Sequence, residues 1–393
     1  MRQLSQRAQA VRPSATLQVS QRARDLQASG VDVINLGLGQ PDFPTPAPIK
    51  ADAIRAIEAN QVDGYTATAG ILPLRQAVAD RLAQTQNVQV TANQVVVTTG
   101  AKLALYALFQ VLVNPGDEVL LPAPYWVSYA EQVKLAGGHP VEVAPTATLK
   151  VTPEQLAAAV TPRTVAVVLN SPQNPSGVVY TPAELQALGE WAVQHDLWII
   201  ADEIYGELVY DQPTPIPSML TLGGAIVDHT IVVNGVSKTY AMTGWRIGYA
   251  VGPQPIMTSL TQALSHMTGN PAAVSQVAAL SALTGSQNPV ALMKASFKER
   301  LDAIYPLLAA LPGFRLPGKP AGAFYLFPDV QEAMALKQCT TTDQLVNRIL
   351  EEAHVAVVAG EAFGLPGHLR ISYATDKATL LTALDRLKKF MQA

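Results

Sequence analysis

The chain has 393 residues, of which 49% are hydrophobic and 15% charged, and its formal net charge is -3. Such a length exceeds one compact core, so about two or three domains are expected, and the apolar content excludes a disordered chain. The slightly acidic balance excludes a nucleic-acid footprint, which needs a clustered basic excess, and leaves a small molecule as the expected partner.

In chain order, the arm from Met1 to Arg12 is polar and carries Arg2, Arg7 and Arg12 without an apolar core segment, unlike a secretory signal. No later run approaches the ~20 apolar residues of a membrane helix, so a cytoplasmic protein with no membrane partner is expected. Val95 to Thr98 reads as a strand, followed by a turn at Gly100 and a helix over Lys102 to Val113. Glu118 to Leu121 is a second strand, ending at Pro122 and Pro124. Val165 to Leu169, Leu197 to Ala201 and Ile231 to Val233 are further short apolar runs ending in polar residues. Runs of this kind between helices predict an α/β fold with a mostly parallel sheet flanked by helices, binding its ligand beyond the carboxyl ends of the strands.

Beyond about residue 290 the pattern changes. Lys294 to Leu311 is helical, with Phe297, Leu301, Ile304 and Leu308 on one core-facing stripe. Prolines and glycines punctuate 312–320. Ala323 to Phe327 and Leu369 to Tyr373 read as strands, and a helix closes the chain. The expected organisation is a large domain over 45–290 and a smaller α/β domain combining 1–44 with 291–393. Cys339 is the one cysteine, which excludes an intramolecular disulfide or a cysteine metal cage, and six scattered histidines lack ligand spacing, so no metal is expected.

The segment from Val233 to Tyr249 is the richest in chemistry. Lys238 follows small residues, and Arg246 stands eight positions later in a glycine-bounded turn. A lysine amine condenses with an aldehyde, and a guanidinium fork clamps a phosphate. Lys238 alone would be an ordinary loop lysine, but the whole spacing resembles the cofactor-attachment signature of the class I and II aminotransferases. The resemblance covers essentially the whole chain. It implies the type I fold of pyridoxal-phosphate enzymes, with Lys238 as the catalytic residue carrying pyridoxal 5'-phosphate.

Other positions follow from the same resemblance. Asp202, ending an apolar strand, matches the carboxylate that keeps the cofactor's ring nitrogen protonated, because a buried ion needs a partner. Tyr205 and Asn174 match residues that reach the phenolic oxygen, and Asn174 also the substrate carboxylate. Gly100, Ala101 and Lys102 stand where a helix start receives the phosphate. Trp126 matches the residue stacked on the ring, and Tyr65 the tyrosine that crosses to a partner's cofactor phosphate, which implies a homodimer with shared active sites. Arg370 matches the arginine for the α-carboxylate. The Gly39 backbone lies in the segment that closes over substrate. Gly235 departs from the pattern, standing where some members carry a phosphate-binding serine, and Glu203 receives no role.

The closest likeness is to bacterial aspartate aminotransferases of subgroup I-beta, in which a lysine at the Lys102 position meets the second carboxylate. Arg12, Ser14 and Thr16 match that subgroup as well, and a basic residue at the Arg12 position there accompanies activity on prephenate. The expected reaction is ping-pong amino transfer from aspartate to 2-oxoglutarate, with amino acids and 2-oxo acids as partners. A C–S β-lyase or an aminotransferase of different substrate range is the alternative, since the same constellation serves both.

Overall fold

A computed structural model of the protein describes residues 3–211 and 216–393. Met1 and Arg2, which begin the basic arm, lie outside the described residues. Twelve strands occur among the described residues: β1 (Ile34–Asn35), β2 (Val95–Thr98), β3 (Glu118–Pro122), β4 (His139–Val143), β5 (Thr164–Asn170), β6 (Trp198–Asp202), β7 (Thr230–Gly235), β8 (Gly248–Val251), β9 (Tyr325–Leu326), β10 (Val355–Ala356), β11 (Val358–Ala359) and β12 (Leu369–Ser372).

Seven of them form one sheet in the order β2-β8-β7-β6-β5-β3-β4. The pairs β7–β6, β6–β5, β5–β3 and β3–β4 are parallel, while β8 runs antiparallel to both β2 and β7. Alternate residues of the central strands face opposite cores, as the two-residue period of a strand requires. Val167, Leu169 and Ile199 join one apolar cluster; Ala166, Val168 and Ile200 join another on the opposite face. Burial on both faces explains why these strands read as continuous rather than alternating apolar runs.

β4 and β8 were not expected from the sequence. β4 is an edge strand carrying Pro140, and β8 is four residues opening on Gly248, so each lacks a strong strand signature. The two antiparallel steps have a geometric consequence. Thr98 and Gly235 both pair with Gly248, so β2 and β7 point the same way and deliver their carboxyl ends to one edge of the sheet.

The remaining strands make two small sheets. β1 pairs parallel with β10, joining the amino-terminal segment to the carboxy-terminal part of the chain, and β11, β12 and β9 form an antiparallel trio. The strand expected over 323–327 is only Tyr325–Leu326, because Ala323 sits at φ 56° and breaks the extended backbone. The helix expected from Lys294 starts earlier, at Asn288, with Pro289 in its first turn where no N–H is needed. Its stripe of Phe297, Leu301, Ile304 and Leu308 is buried against β9, β12 and the closing helix Lys377–Gln392.

Candidate active site

The carboxyl ends of β5, β6 and β7 open onto a cavity of about 310 Å³. β6 ends on Asp202, β5 on Asn170, and β7 runs into a short helix, Val236–Thr239, that presents Lys238. Arg370 enters from β12.

Asp202 is almost wholly buried, and burial raises its pKa above the ordinary carboxylate value. Opposing that shift, the Tyr129 hydroxyl donates to Oδ2 at 2.6 Å, the Ile204 N–H donates to Oδ1 at 3.1 Å, and Lys238 adds its charge. Lys238 donates to the carbonyl of Gly39 at 2.5 Å. Its pKa is pushed down to about 7, first by burial and then by the charges of Arg370 and Arg246. An amine of this kind spends much of its time neutral near pH 7, the state that attacks a carbonyl or accepts a proton.

Arg370 is 2% exposed. Its two terminal nitrogens donate to Asn174 Oδ1 at 2.9 Å and to the Gly37 carbonyl at 2.7 Å, and its Nε has no partner among the described residues. Asn174 is itself fixed by its backbone N–H, which donates to Asn170 Oδ1 at 2.8 Å. With its oxygen committed to Arg370, the Asn174 amide is oriented to donate rather than accept in the cavity.

At the other end, Gly100 has φ 80° and caps the helix Ala101–Leu112. A Cβ at Gly100 would lie 2.5 Å from an Arg246 nitrogen, and one at Gly248 would lie 2.2 Å from the Ala101 nitrogen. Glycine at both places lets β8, the helix start and Arg246 converge. First-turn N–H groups facing a guanidinium form a cradle for an anion. Lys102 stands beside it with its amine 5.0 Å above the Trp126 ring. Although the residue is largely exposed, partial burial of the amine and then Arg246 lower its pKa.

Thus Gly39, Ala101, Lys102, Trp126, Asn174, Asp202, Tyr205, Lys238, Arg246 and Arg370 line a single cavity, together with Ser14 and Thr16, whose hydroxyls lie 3.0 Å apart. Gly100 shapes the wall through Arg246. Two residues lie elsewhere. Arg12 lines a neighbouring cavity of about 970 Å³ that shares Ser14 and Lys102 with the first, and its backbone N–H donates to Glu131. Tyr65 is fully exposed on the single chain. The sequence reading missed Tyr129, Asn170 and Tyr325. Tyr129 follows Trp126 by three residues, its N–H donates to the Trp126 carbonyl at 3.0 Å in the turn that opens the helix Ser128–Ala136, and their rings lie 5.5 Å apart; nothing in the sequence signals its reach to Asp202. Among the described residues no cluster of histidine, cysteine or carboxylate side chains could hold a metal, and no helix is long and apolar enough to cross a membrane.

Comparison with known proteins decides the family. Residues 31–387 match the family described as aminotransferase class I and II. The chain belongs to that family. It is 47% identical over 99% of both chains to an aspartate aminotransferase of Geobacillus stearothermophilus. It is 46% identical over 100% of both chains to an asparagine–oxo-acid transaminase of Streptococcus mutans. A solved structure of aspartate aminotransferase from Thermus thermophilus with maleate superposes with a TM-score of 0.92 at 40% identity, covering 99% of this chain and 100% of that one. This aminotransferase is therefore a pyridoxal-phosphate-dependent enzyme of the type I fold.

The cavity fits that cofactor on its own chemistry. Lys238 would meet an aldehyde, the buried Asp202 carboxylate would answer a ring nitrogen carrying a proton, and Arg246 with the N–H groups behind Gly100 would hold a phosphate. Tyr205 and Asn174 line the same cavity and would offer donors to a phenolic oxygen.

Proposed function

We propose that this enzyme transfers the amino group of L-aspartate to 2-oxoglutarate, with Lys238 as its catalytic residue. The observation that carries the reading is one cavity holding a neutral-leaning lysine and two further cations, Arg370 and Lys102. Two separate cations suit an amino acid with two carboxylates. The aspartate aminotransferase names of its relatives and the maleate, a dicarboxylate, in the Thermus structure support the same choice.

Pyridoxal phosphate, when bound, supplies an aldehyde that takes up amino groups and a ring that withdraws electrons from the substrate Cα. The chain's own residues do the rest. Arg370, already oriented by Asn174 and Gly37, binds the α-carboxylate, and Lys102 binds the side-chain carboxylate. These two contacts fix the rotation about Cα so that its hydrogen faces Lys238. The Lys238 amine, with a pKa near 7, takes that proton and returns it to the carbon on the far side of the substrate nitrogen. The Gly39 carbonyl holds the amine in place between these events. Asp202, with one oxygen fixed by Tyr129 and the other by the Ile204 N–H, holds a proton on the ring nitrogen.

The working unit in this reading is a cytoplasmic homodimer. Support for the dimer comes from Tyr65, whose side chain is wholly exposed, and from the exposed apolar residues Ile54, Ile57 and Leu72. The wide neighbouring cavity bounded by Arg12 offers room for a bulky dicarboxylate such as prephenate as a second substrate. The name of the Streptococcus mutans relative favours one alternative, asparagine as amino donor.

The test is spectroscopic. Purified holoenzyme is mixed separately with aspartate, asparagine, and prephenate plus glutamate. Bleaching of the visible cofactor band by aspartate, with the band absent in Lys238→Ala, is the expected result. Prephenate turnover lost in Arg12→Ala would assign the second substrate. Bleaching by asparagine but not aspartate overturns the aspartate reading.

A further inference from the structure

Tyr325 touches three working parts of the cavity at once. It lies on β9, outside the sheet that carries Asp202 and Lys238, and its side chain is wholly buried. Its hydroxyl is 2.8 Å from the hydroxyl of Tyr205. Its ring lies under the Arg370 guanidinium, 4.7 Å from centroid to Cζ. Its oxygen also abuts the backbone of Gly39, where a Cβ would come within 2.9 Å of it.

We propose that Tyr325 is a positioning residue that directs the Tyr205 hydroxyl proton toward the cofactor while its ring braces Arg370 for the substrate carboxylate. The argument begins with proton counting. A phenol has one proton to donate and can accept at its oxygen. Either hydroxyl can donate across this contact, and neither has another partner among the described residues; once Tyr205 gives its proton to the cofactor's phenolic oxygen, the Tyr325 proton is the one left to bridge the pair. Tyr205 accepts that bond and keeps its own proton free for a third oxygen. A hydroxyl that accepts one hydrogen bond becomes a stronger donor in the next, and a dry site amplifies the effect. The charged groups facing this pair are Arg370, Asp202 and Lys238, with Lys102 and Arg246 further along the cavity wall. A phenolate at either tyrosine is disfavoured by burial, so the pair works as neutral donors.

The inference rests on the reading that Tyr205 donates to the cofactor's phenolic oxygen. That bond stabilises the oxygen as an anion, so weakening it makes the bound cofactor hold its proton to higher pH. The experiment titrates the visible band of holoenzyme for wild type, Tyr205→Phe, Tyr325→Phe and the double variant. Tyr325→Phe should raise the midpoint by about half a pH unit, the size expected for a weakened neutral hydrogen bond. Tyr205→Phe should raise it more, and the double variant should match Tyr205→Phe alone, since the two hydroxyls act in series. A midpoint unchanged in Tyr325→Phe, or an equal further shift on top of Tyr205→Phe, overturns the proposal while leaving the role of Tyr205 intact. No shift in Tyr205→Phe overturns both.

The ring is tested separately by maleate binding. Tyr325→Leu should weaken maleate about tenfold through loss of the support under Arg370, and Tyr325→Phe should keep it within about twofold of wild type. Wild-type maleate affinity in Tyr325→Leu overturns the bracing half of the proposal.

Discussion

Tyr129 gives its hydroxyl proton to Asp202 Oδ2 from a position wholly inside the protein, 2.6 Å away. The partner carboxylate comes from β6 and the phenol from the helix Ser128–Ala136, so this bond ties the floor of the cavity to one of its walls. Burial raises the pKa of Asp202, and Tyr129 is the foremost contact that opposes this.

Tyr129→Phe should therefore raise the pKa of Asp202. An acid whose pKa rises is lost as a carboxylate at a higher pH, so the acid limb of kcat/KM moves up the pH scale. At pH 7 the expected cost is about tenfold in kcat, appropriate to one hydrogen bond to a charged group. A pH-rate profile checks both, and an unmoved acid limb counts against the role.

Lys238 makes a second prediction through stability. Its pKa falls from 10.5 to about 7 on folding, so between those values the unfolded chain binds more protons than the folded one. Stability of the cofactor-free enzyme then rises with pH through that window, because the folded site no longer has to hold a buried ammonium. Lys238→Met removes the group and should flatten this rise. The difference between the two proteins, read from urea midpoints at pH 6.5 and pH 10, should amount to about 2–4 kcal/mol. Equal pH dependence in both would show that the amine is not destabilised by folding.

Gly100 is predicted to matter for the cofactor rather than for the fold. Alanine there meets a left-handed backbone at φ 80° and an Arg246 nitrogen 2.5 Å from its Cβ. Strain of about 1 kcal/mol in the backbone is tolerable. Displacement of Arg246 is not, and pyridoxal phosphate affinity should fall about 10- to 100-fold. Fluorescence titration of the cofactor-free enzyme measures it, with thermal unfolding as the control for folding.

The site was legible in the sequence where the chemistry lies in short contiguous runs. Asp202 announces itself as an ion at the end of an apolar strand, and Lys238 with Arg246 by spacing around small residues. Tyr325 and Tyr129 were not legible, since each acts through a residue distant in sequence, Tyr205 and Asp202, and a tyrosine among apolar residues reads as core. In the fold, the parallel core was visible in continuous apolar runs, whereas β8 opens on Gly248 and lacks the β-branched run that marks the equally short β2. Its pairing with β2 and β7 nevertheless brings the Gly100 turn to the edge where Lys238 lies. Arg12 and Tyr65 lie outside the cavity itself, the first lining the neighbouring hollow and the second exposed on the surface of the single chain.

Lys102 supplies the sharpest test of substrate choice. Its amine sits over Trp126 with no hydrogen-bond partner among the described residues, so it is available to a substrate. Lys102→Met keeps the length and apolar stem and removes only the charge. For aspartate the expected result is a KM raised about 10- to 100-fold, the loss of one charge-assisted contact in a partly dry site. Alanine, which has no side-chain carboxylate, should change by about twofold or less in kcat/KM. Asparagine should fall between them, because an amide oxygen accepts from an ammonium but carries no charge. Equal losses for aspartate and alanine would mean that Lys102 serves the cofactor end of the cavity, beside Arg246, and that another group reads the second carboxylate.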